Sequence, residues 1–558
     1  MTTEPVSPVD DLADRYLDSL LELNPGVATM YGDERYDDRL PDPSGVGRAR
    51  ARAVNEEVLR EAGAIDPSGL SVEEAITRDV LLIIAGSAIE QDDQRIDTLR
   101  VVDQMEGPQT LLPQLVQFQR ADTPERVERL LTRLRAYGPF MAANAELIRE
   151  GVAMGLTPAR VAADRTIAQL EGLLAVPIGE AVVPALLRGV SEETRERVRE
   201  VVRDVVYPAD AAFLAAIKEA YGQTREDPGM WALPRGDELY RTQIRAWTTL
   251  DIDPAEVHRI GLEQLEAIQD EQRAIAAAAG FDGDLTAYRA HLADDPENHP
   301  ATPEALLARA REDIERAMAV APRYFGRLPR AGCEVRAVEA FKEKDAPFAY
   351  YNPPNIEGTR DGVYYANTYD LPSRMFSSLA TTTYHEAVPG HHFQIALEME
   401  SDRLSRFRRL GARAAGGAYV EGWGLYSERL ADEMGLYRSD QERYGMLTAQ
   451  AWRAARLVVD SGMHGLRWTR QQSIDFLDRA GLTMTDAVIE TDRYIVWPGQ
   501  ALTYMLGQLE IQGLRRQLEA RDGEAFDLKG FHDAVLGHGS LPLATLRAHL
   551  PDWVGPRT

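Results

Sequence analysis

Three of the ten histidines in this 558-residue sequence, His385, His391 and His392, fall in one stretch of eight residues. They lie in Tyr384-His385-Glu386-Ala387-Val388-Pro389-Gly390-His391-His392-Phe393-Gln394. Imidazole nitrogens and carboxylate oxygens hold divalent metals in hydrolytic sites, and a carboxylate beside such a site can move a proton. The flanks point to burial: Met375-Phe-Ser-Ser-Leu-Ala-Thr-Thr-Thr-Tyr384 carries no charge, and Phe393, Ile395 and Ala396 follow. Three imidazoles and a carboxylate in an apolar helix are costly without a partner, and a bound metal offsets that cost. The one cysteine, Cys333, excludes an intramolecular disulfide and a cysteine-rich zinc module. Any metal is therefore held by nitrogen and oxygen, the donor set of catalytic rather than structural zinc.

The spacing departs from the usual one. In H-E-x-x-H, two histidines one helical turn apart share a zinc and the glutamate takes a proton from water. Here the residue four after His385 is Pro389, and the next histidines come six and seven after it. On a straight helix the sixth residue lies about 120° round, and the seventh about 10 Å along the axis. Neither reaches an ion bound at about 2.0–2.1 Å. Pro389 removes a backbone donor and Gly390 tolerates unusual dihedrals, so a two-residue bulge is expected. It would bring His391 to the ligand position and leave His392 as a neighbour facing substrate. The reverse assignment, His392 as ligand, stays open.

A catalytic zinc takes three protein ligands. Glu421, in Tyr419-Val420-Glu421-Gly422-Trp423-Gly424-Leu425-Tyr426-Ser427-Glu428, follows His391 by 30 residues, enough for a helix, a turn and the start of another. Its apolar neighbours imply burial, and a buried glutamate is unusual unless paired or metal-bound. The alternative is an ion pair with Arg406, Arg408, Arg409 or Arg413.

H-E-x-x-P-G-H-H followed by E-G-W-x-x-Y-x-E resembles the DUF885 family of bacterial proteins. Asp460-Ser-Gly-Met-His464, Trp468, Glu490-Thr-Asp-Arg493-Tyr494, Pro498-Gly-Gln-Ala501, Tyr504, Phe531-His-Asp533 and Gly539-Ser-Leu-Pro542 fit the same pattern. The match spans most of the chain and is strongest over about 345–545. That family resembles the gluzincin metallopeptidases, in which two histidines and a downstream glutamate hold zinc. The Glu421 segment is also similar to the N-E-G-F-A segment of zinc aminopeptidases. The resemblance and the chemistry together imply His385, His391 and Glu421 as ligands of one Zn2+ per chain, with Glu386 as general base. Gluzincin-like enzymes often use a later Tyr or His to stabilise the tetrahedral intermediate. Tyr504, Tyr494 and His464 are the residues here that could do so, Tyr504 first, with a packed core tyrosine as its alternative. Arg493 could clamp a substrate carboxylate or pair with Glu490 or Asp492. Tyr494 and His392 are expected beside it at the substrate.

The elements that must position these residues are mostly helices. Thr123-Pro124 opens a helix whose Val127, Leu130, Leu131 and Leu134 form one apolar stripe, with Gly138-Pro139 as its stop. Thr157-Pro158 and Thr302-Pro303 repeat the start signal, and Ser71…Glu74, Asp253…Glu256 and Thr469…Gln472 read as capping boxes. Helical patterns cover about 71–95, 123–151, 190–222, 253–280 and 302–320. The period fails over about 333–370, where Cys333–Phe341 and Gly362–Tyr369 read as strands around a turn at Asn352-Pro353-Pro354-Asn355. The strand over 362–369 could offer an edge to an extended peptide. The expected fold is mainly α, with a small antiparallel sheet beside a zincin-like active-site helix and a deep cleft. Pro and Gly near 225–240 divide a helical scaffold, 1–235, from a catalytic region, 236–558.

The net charge, 62 − 89 = −27, excludes nucleic acid as main partner and disfavours an anionic membrane surface. No apolar stretch reaches a membrane-spanning length and no signal-peptide pattern is visible, so a cytoplasmic location is expected. The expected function is a zinc metallopeptidase acting on short peptides. The alternatives are a metal-dependent hydrolase of a non-peptide amide or ester, and a non-catalytic metal-containing binding protein. The donor set suits zinc better than manganese or cobalt.

Overall fold

A computed structural model of the chain describes residues 7–187, 189–339, 343, 347–354 and 360–555. The fold is mainly α, with one three-stranded sheet among the described residues. Helix starts follow the capping side chains. Thr123 and Thr302 accept the N–H groups of Arg126 and Ala305, ahead of Pro124 and Pro303. Ser71 and Thr469 complete reciprocal capping boxes, whereas Asp253 caps Ala255 without one. Two punctuation signals act differently. Gly138 and Pro139 lie in the first turn of the next helix, Tyr137–Met154, where a proline forfeits no intrahelical bond. Thr157 caps nothing, and the helix after it begins at Arg160.

The core does not divide at 235. Apolar side chains from Leu12 to Ile96 pack into one core with residues 230–554, and residues 101–221 close a second core around Leu130, Tyr137 and Phe213. Helix Pro8–Leu23 lies against Arg406–Leu410, and helix Val72–Asp93 against Gly236–Thr248. The chain's beginning is thus part of the body that carries the histidines. No single helix among the described residues is long and apolar enough to cross a membrane.

The site-bearing elements, in chain order, are α1 (Pro254–Ala278), α2 (Pro303–Val320), β1 (Cys333–Ala337), β2 (Ala349–Asn352), β3 (Gly362–Ala366), α3 (Phe376–Glu386), α4 (His391–Met399), α5 (Gly417–Glu433), α6 (Asp440–His464), α7 (Met484–Val496) and α8 (Thr503–Asp522). Helix α6 packs along α1 and α3, and α5 along α8. The α5–α8 approach is close because both sides lack side chains there: a Cβ on Gly422 would lie 2.4 Å from the Gly507 carbonyl carbon.

The sheet is mixed rather than antiparallel. Its order is β1-β3-β2, with β3 antiparallel to β2 but parallel to β1, Cys333 opposite Gly362 and Ala337 opposite Ala366. The connection from Ala337 to Gly362 contains β2 and is long enough to bring β3 back in the same direction. The expected turn at Asn352 begins as the end of β2. Ala340, Phe341 and Asn355 lie outside the described residues. Because β3 is central, the edge expected for peptide addition is already paired on both sides. Its Tyr364 is buried against Thr383 of α3, so the strand packs the histidine helix.

Candidate metal centre

Helix α3 stops at His385-Glu386 and α4 begins at His391. The expected bulge is a full break. Ala387 leaves helical geometry (φ −109°, ψ −99°), the Val388–Pro389 bond is cis, and Gly390 (φ −80°, ψ −129°) turns the chain into α4. Only glycine fits at 390, since a Cβ there would lie 1.8 Å from the His385 carbonyl oxygen. The break faces His391 back toward His385, with ring centroids 4.7 Å apart and planes at 85°. The mechanism differs from a bulge, but the residue delivered is the one anticipated, His391.

Helix α5 completes the site, and its residues act in turn. Glu421 Oε2 lies 3.6 Å from His385 Nε2 and 3.6 Å from His391 Nε2. Atoms about 2.0–2.2 Å from one tetrahedral ion lie about 3.3–3.6 Å apart, so this spacing fits a shared metal. Trp423 Nε1–H donates to the Pro389 carbonyl at 2.9 Å, fixing the break to α5. Gly424 leaves room for both rings: a Cβ there would lie 2.8 Å from His385 Nε2 and 2.9 Å from His391 Cε1. Glu428 accepts from His385 Nδ1 at 2.8 Å and is itself held by Gln450 Nε2–H at 3.0 Å. That bond puts the imidazole proton on Nδ1 and leaves Nε2 as the donor for a metal.

Two carboxylates stand close to the histidines. Single donor atoms of His385, Glu386 and His391 also lie within 4.8 Å of one another. Of the two, Glu421 has one oxygen equally far from both Nε2 atoms, at a spacing that suits a shared ion. The electrostatics separate the pair. Burial pushes Glu421 up, but His385 and His391 outweigh it and hold the carboxyl well below the usual range. Burial raises Glu386, and His391, His385 and Arg453 offset this only in part. His385 is pulled down by burial, yet Glu421 and Glu428 raise it to about 9. One carboxylate is thus held ionised, and its neighbour is the more basic of the two. The Glu421 side chain keeps 26% of its surface exposed, so the cluster opens to solvent on that side.

Other expected site residues fall in different places. His392 turns away from the cluster. It bonds Tyr351 of β2 through Nδ1 at 2.9 Å and interacts with the Ala331 backbone, and burial takes it down to about 4. His464 has both ring nitrogens occupied, Nδ1 accepting from Met230 N–H at 3.2 Å and Nε2 meeting the Tyr494 carbonyl at 2.9 Å. Burial lowers it to about 3, so it is a neutral packing group with no atom left for substrate. Tyr494 is buried, and its hydroxyl accepts from Arg456 Nε at 2.9 Å and Trp452 Nε1 at 3.3 Å. Tyr504 lies on α8 with the Arg456 guanidinium 4.4 Å and the Arg453 guanidinium 5.8 Å from its ring centroid. Arg493 donates to Gln500 Oε1 at 2.9 Å and lies 3.7 Å from Glu490, so the ion-pair alternative is realised without exhausting its donors.

Glu428, Gln450, Arg453 and Arg456 had no sequence-based role. Glu428 stands two turns after Glu421 on the same helix, a spacing that places both on one face. Nothing comparable marks the arginines, whose partners come from α7 and α8.

The chain matches, over residues 25–550, the family described as "Bacterial protein of unknown function (DUF885)". No curated protein matches it. Among solved structures it is similar to a "putative lipoprotein" from Colwellia psychrerythraea, at 29% identity and a TM-score of 0.90, covering 98% of this chain and 99% of that one. It also shares the fold of a "putative lipoprotein of unknown function" from Shewanella oneidensis, at 18% identity and a TM-score of 0.76, covering 97% and 99%.

Proposed function

The chain belongs to the DUF885 family, and from that premise and the geometry of its histidine cluster we propose that it is a zinc-dependent hydrolase, a metallopeptidase of gluzincin type acting on short peptides. The observation that carries the reading is that Glu421 Oε2 lies 3.6 Å from both His385 Nε2 and His391 Nε2, with Glu386 beside the two histidines. When bound there, zinc supplies Lewis acidity and acidifies a water molecule. Glu386 takes a proton from water and returns it to the leaving amine. Glu428 keeps the His385 ring in the tautomer that ligates. For the developing oxyanion we take Tyr504, whose ring lies against the Arg453 and Arg456 guanidiniums and whose hydroxyl makes no hydrogen bond among the described residues. An exported or membrane-anchored location, rather than a cytoplasmic one, is favoured by the description of the two structural neighbours as lipoproteins.

The test pairs metal analysis with one substitution. Protein purified without chelator is expected to hold about one zinc per chain. Glu386→Gln is expected to keep that zinc and lose about 10²- to 10⁴-fold of its peptide turnover. Absence of bound zinc, or unchanged turnover in Glu386→Gln, overturns the reading.

A further inference from the structure

Beside the proposed metal centre lies a concentration of positive charge that the protein leaves largely unpaired. Arg453 and Arg456 stand one turn apart on α6, and Arg493 reaches them from α7. One carboxylate pairs within the group: Glu490 lies 3.1 Å from Arg456 and 3.7 Å from Arg493. Arg453 has no carboxylate within 4.0 Å among the described residues, and its recorded polar contact is 3.4 Å to the Ala449 carbonyl. Glu106, exposed opposite, feels the charge of Arg493 without forming an ion pair. Arg456 is 2% exposed, yet its Nη1 has no hydrogen-bond partner among the described residues, and the same holds for Nε of Arg453 and of Arg493. Buried guanidinium donors without acceptors are costly.

The cluster is held in position rather than loose. Tyr494 accepts from Arg456 Nε, Gln500 from Arg493, and Trp452 lies 4.4 Å from the Arg456 guanidinium and 4.6 Å from that of Arg453. It also adjoins the reaction centre. Arg453 stands one turn along α6 from Gln450, which holds Glu428 against His385, and Arg453 and Arg456 both lie over the Tyr504 ring. Guanidinium forks match a carboxylate in geometry and charge.

We propose that Arg453, Arg456 and Arg493 form a carboxylate-binding subsite, so that the substrate is a peptide with a free C-terminal carboxylate close to the bond that is cut. The proposal rests on the hydrolase reading above and adds the polarity of the substrate: cleavage is directed from the carboxyl end, with the terminal residues lying between Glu386 and the arginines.

Binding is measured so that it does not depend on turnover. Acetyl-Ala-Ala and acetyl-Ala-Ala-amide are titrated calorimetrically into chelator-treated Glu386→Gln protein, where no metal can hold the carboxylate. The free acid is expected to bind about tenfold to a hundredfold more tightly than the amide. Arg453→Gln and Arg493→Gln are expected to abolish that preference, and Arg493→Lys to retain part of it. Their melting temperatures show that folding is intact. Equal affinity for acid and amide, binding of neither, or an undiminished preference in both glutamine variants overturns the subsite. Loss of the hydrolase reading shows elsewhere, in the zinc content and in the turnover of Glu386→Gln.

Discussion

At the scale of single residues, α5 carries more of the candidate site than the histidine stretch does. Glu428 makes no approach to a ligand position, yet it sets which nitrogen of His385 is free. Carboxylates in this position typically contribute 10- to 100-fold in metal affinity. Glu428→Ala is therefore expected to weaken zinc binding by about that factor in a competitive chelator titration, with Glu428→Gln intermediate because an amide oxygen still accepts. Gly424→Ala makes a sharper case. Alanine favours a helix interior over glycine by about 1 kcal/mol, so α5 itself should not suffer. The added methyl would sit 2.8 Å from His385 Nε2, and the expected result is lost zinc with little change in the melting of metal-free protein. His385, Glu386 and Glu421, which the structure brings together, stand out in the sequence by residue type and spacing. Glu428 does not, because its role is created by a histidine 43 residues away in sequence. Tyr494 and His464 are candidates through the family resemblance, which implies a later Tyr or His at the oxyanion. Burial and saturated bonds assign them to packing.

At the scale of elements, the joint between α3 and α4 decides whether two histidines meet. Pro389 and Gly390 marked it in the sequence, but proline and glycine are compatible with both a bulge and a break. In the structure the break is tied to α5, where the Trp423 N–H and the Ser427 hydroxyl both donate to the Pro389 carbonyl. Trp423→Phe keeps most of the packing and leaves that carbonyl only the Ser427 hydroxyl at 3.3 Å, at a cost of about 0.5–1.5 kcal/mol. The expected outcome is a lowered urea midpoint, with a proportionally larger loss of zinc affinity since the joint orients His391. The helices themselves were readable because capping oxygens and apolar stripes are local. The sheet was readable only in part: alternation located β1 and β3, but strand direction depends on where a long connection returns the chain.

At the scale of the whole molecule, each of the two cores contains a carboxyl group that burial has shifted strongly upward. Asp210, bonded to Tyr137 at 2.8 Å, and Asp460, bonded to Tyr240 at 2.5 Å, are both raised to about 7. Each binds its proton more tightly folded than unfolded, where an aspartate titrates near 3.9. Their contribution to stability is therefore complete below about pH 4 and is lost as pH rises through about 7, at no more than about 1.4 kcal/mol per pH unit for each group. Urea midpoints measured from pH 5 to 8 are expected to fall, after allowance for the other titrating groups. Asp210→Asn should remove its share of the slope, and an unchanged slope in that variant would show that Asp210 is ionised when folded. The grouping of these cores was hidden from the sequence. The Pro/Gly stretch near 225–240 marks a boundary between halves expected to pack as one body, and the structure adds that residues 12–96 share a core with the second half of the chain. Contacts so distant in sequence leave no periodic trace.

The indole clasp on the Pro389 carbonyl also bears on how such a centre can change over generations. Removing Val388 and Pro389 would leave His385-Glu-Ala-Gly-His391, the ordinary helix-spaced pair, while depriving Trp423 of its acceptor. The two segments are thus physically coupled: shortening H-E-A-V-P-G-H to a continuous helix strands the indole N–H of E-G-W-G. A pattern scan keyed to histidines one turn apart passes over every chain built in this way. What distinguishes this chain from such a pattern is an interrupted histidine helix paired with a tryptophan that spans the interruption.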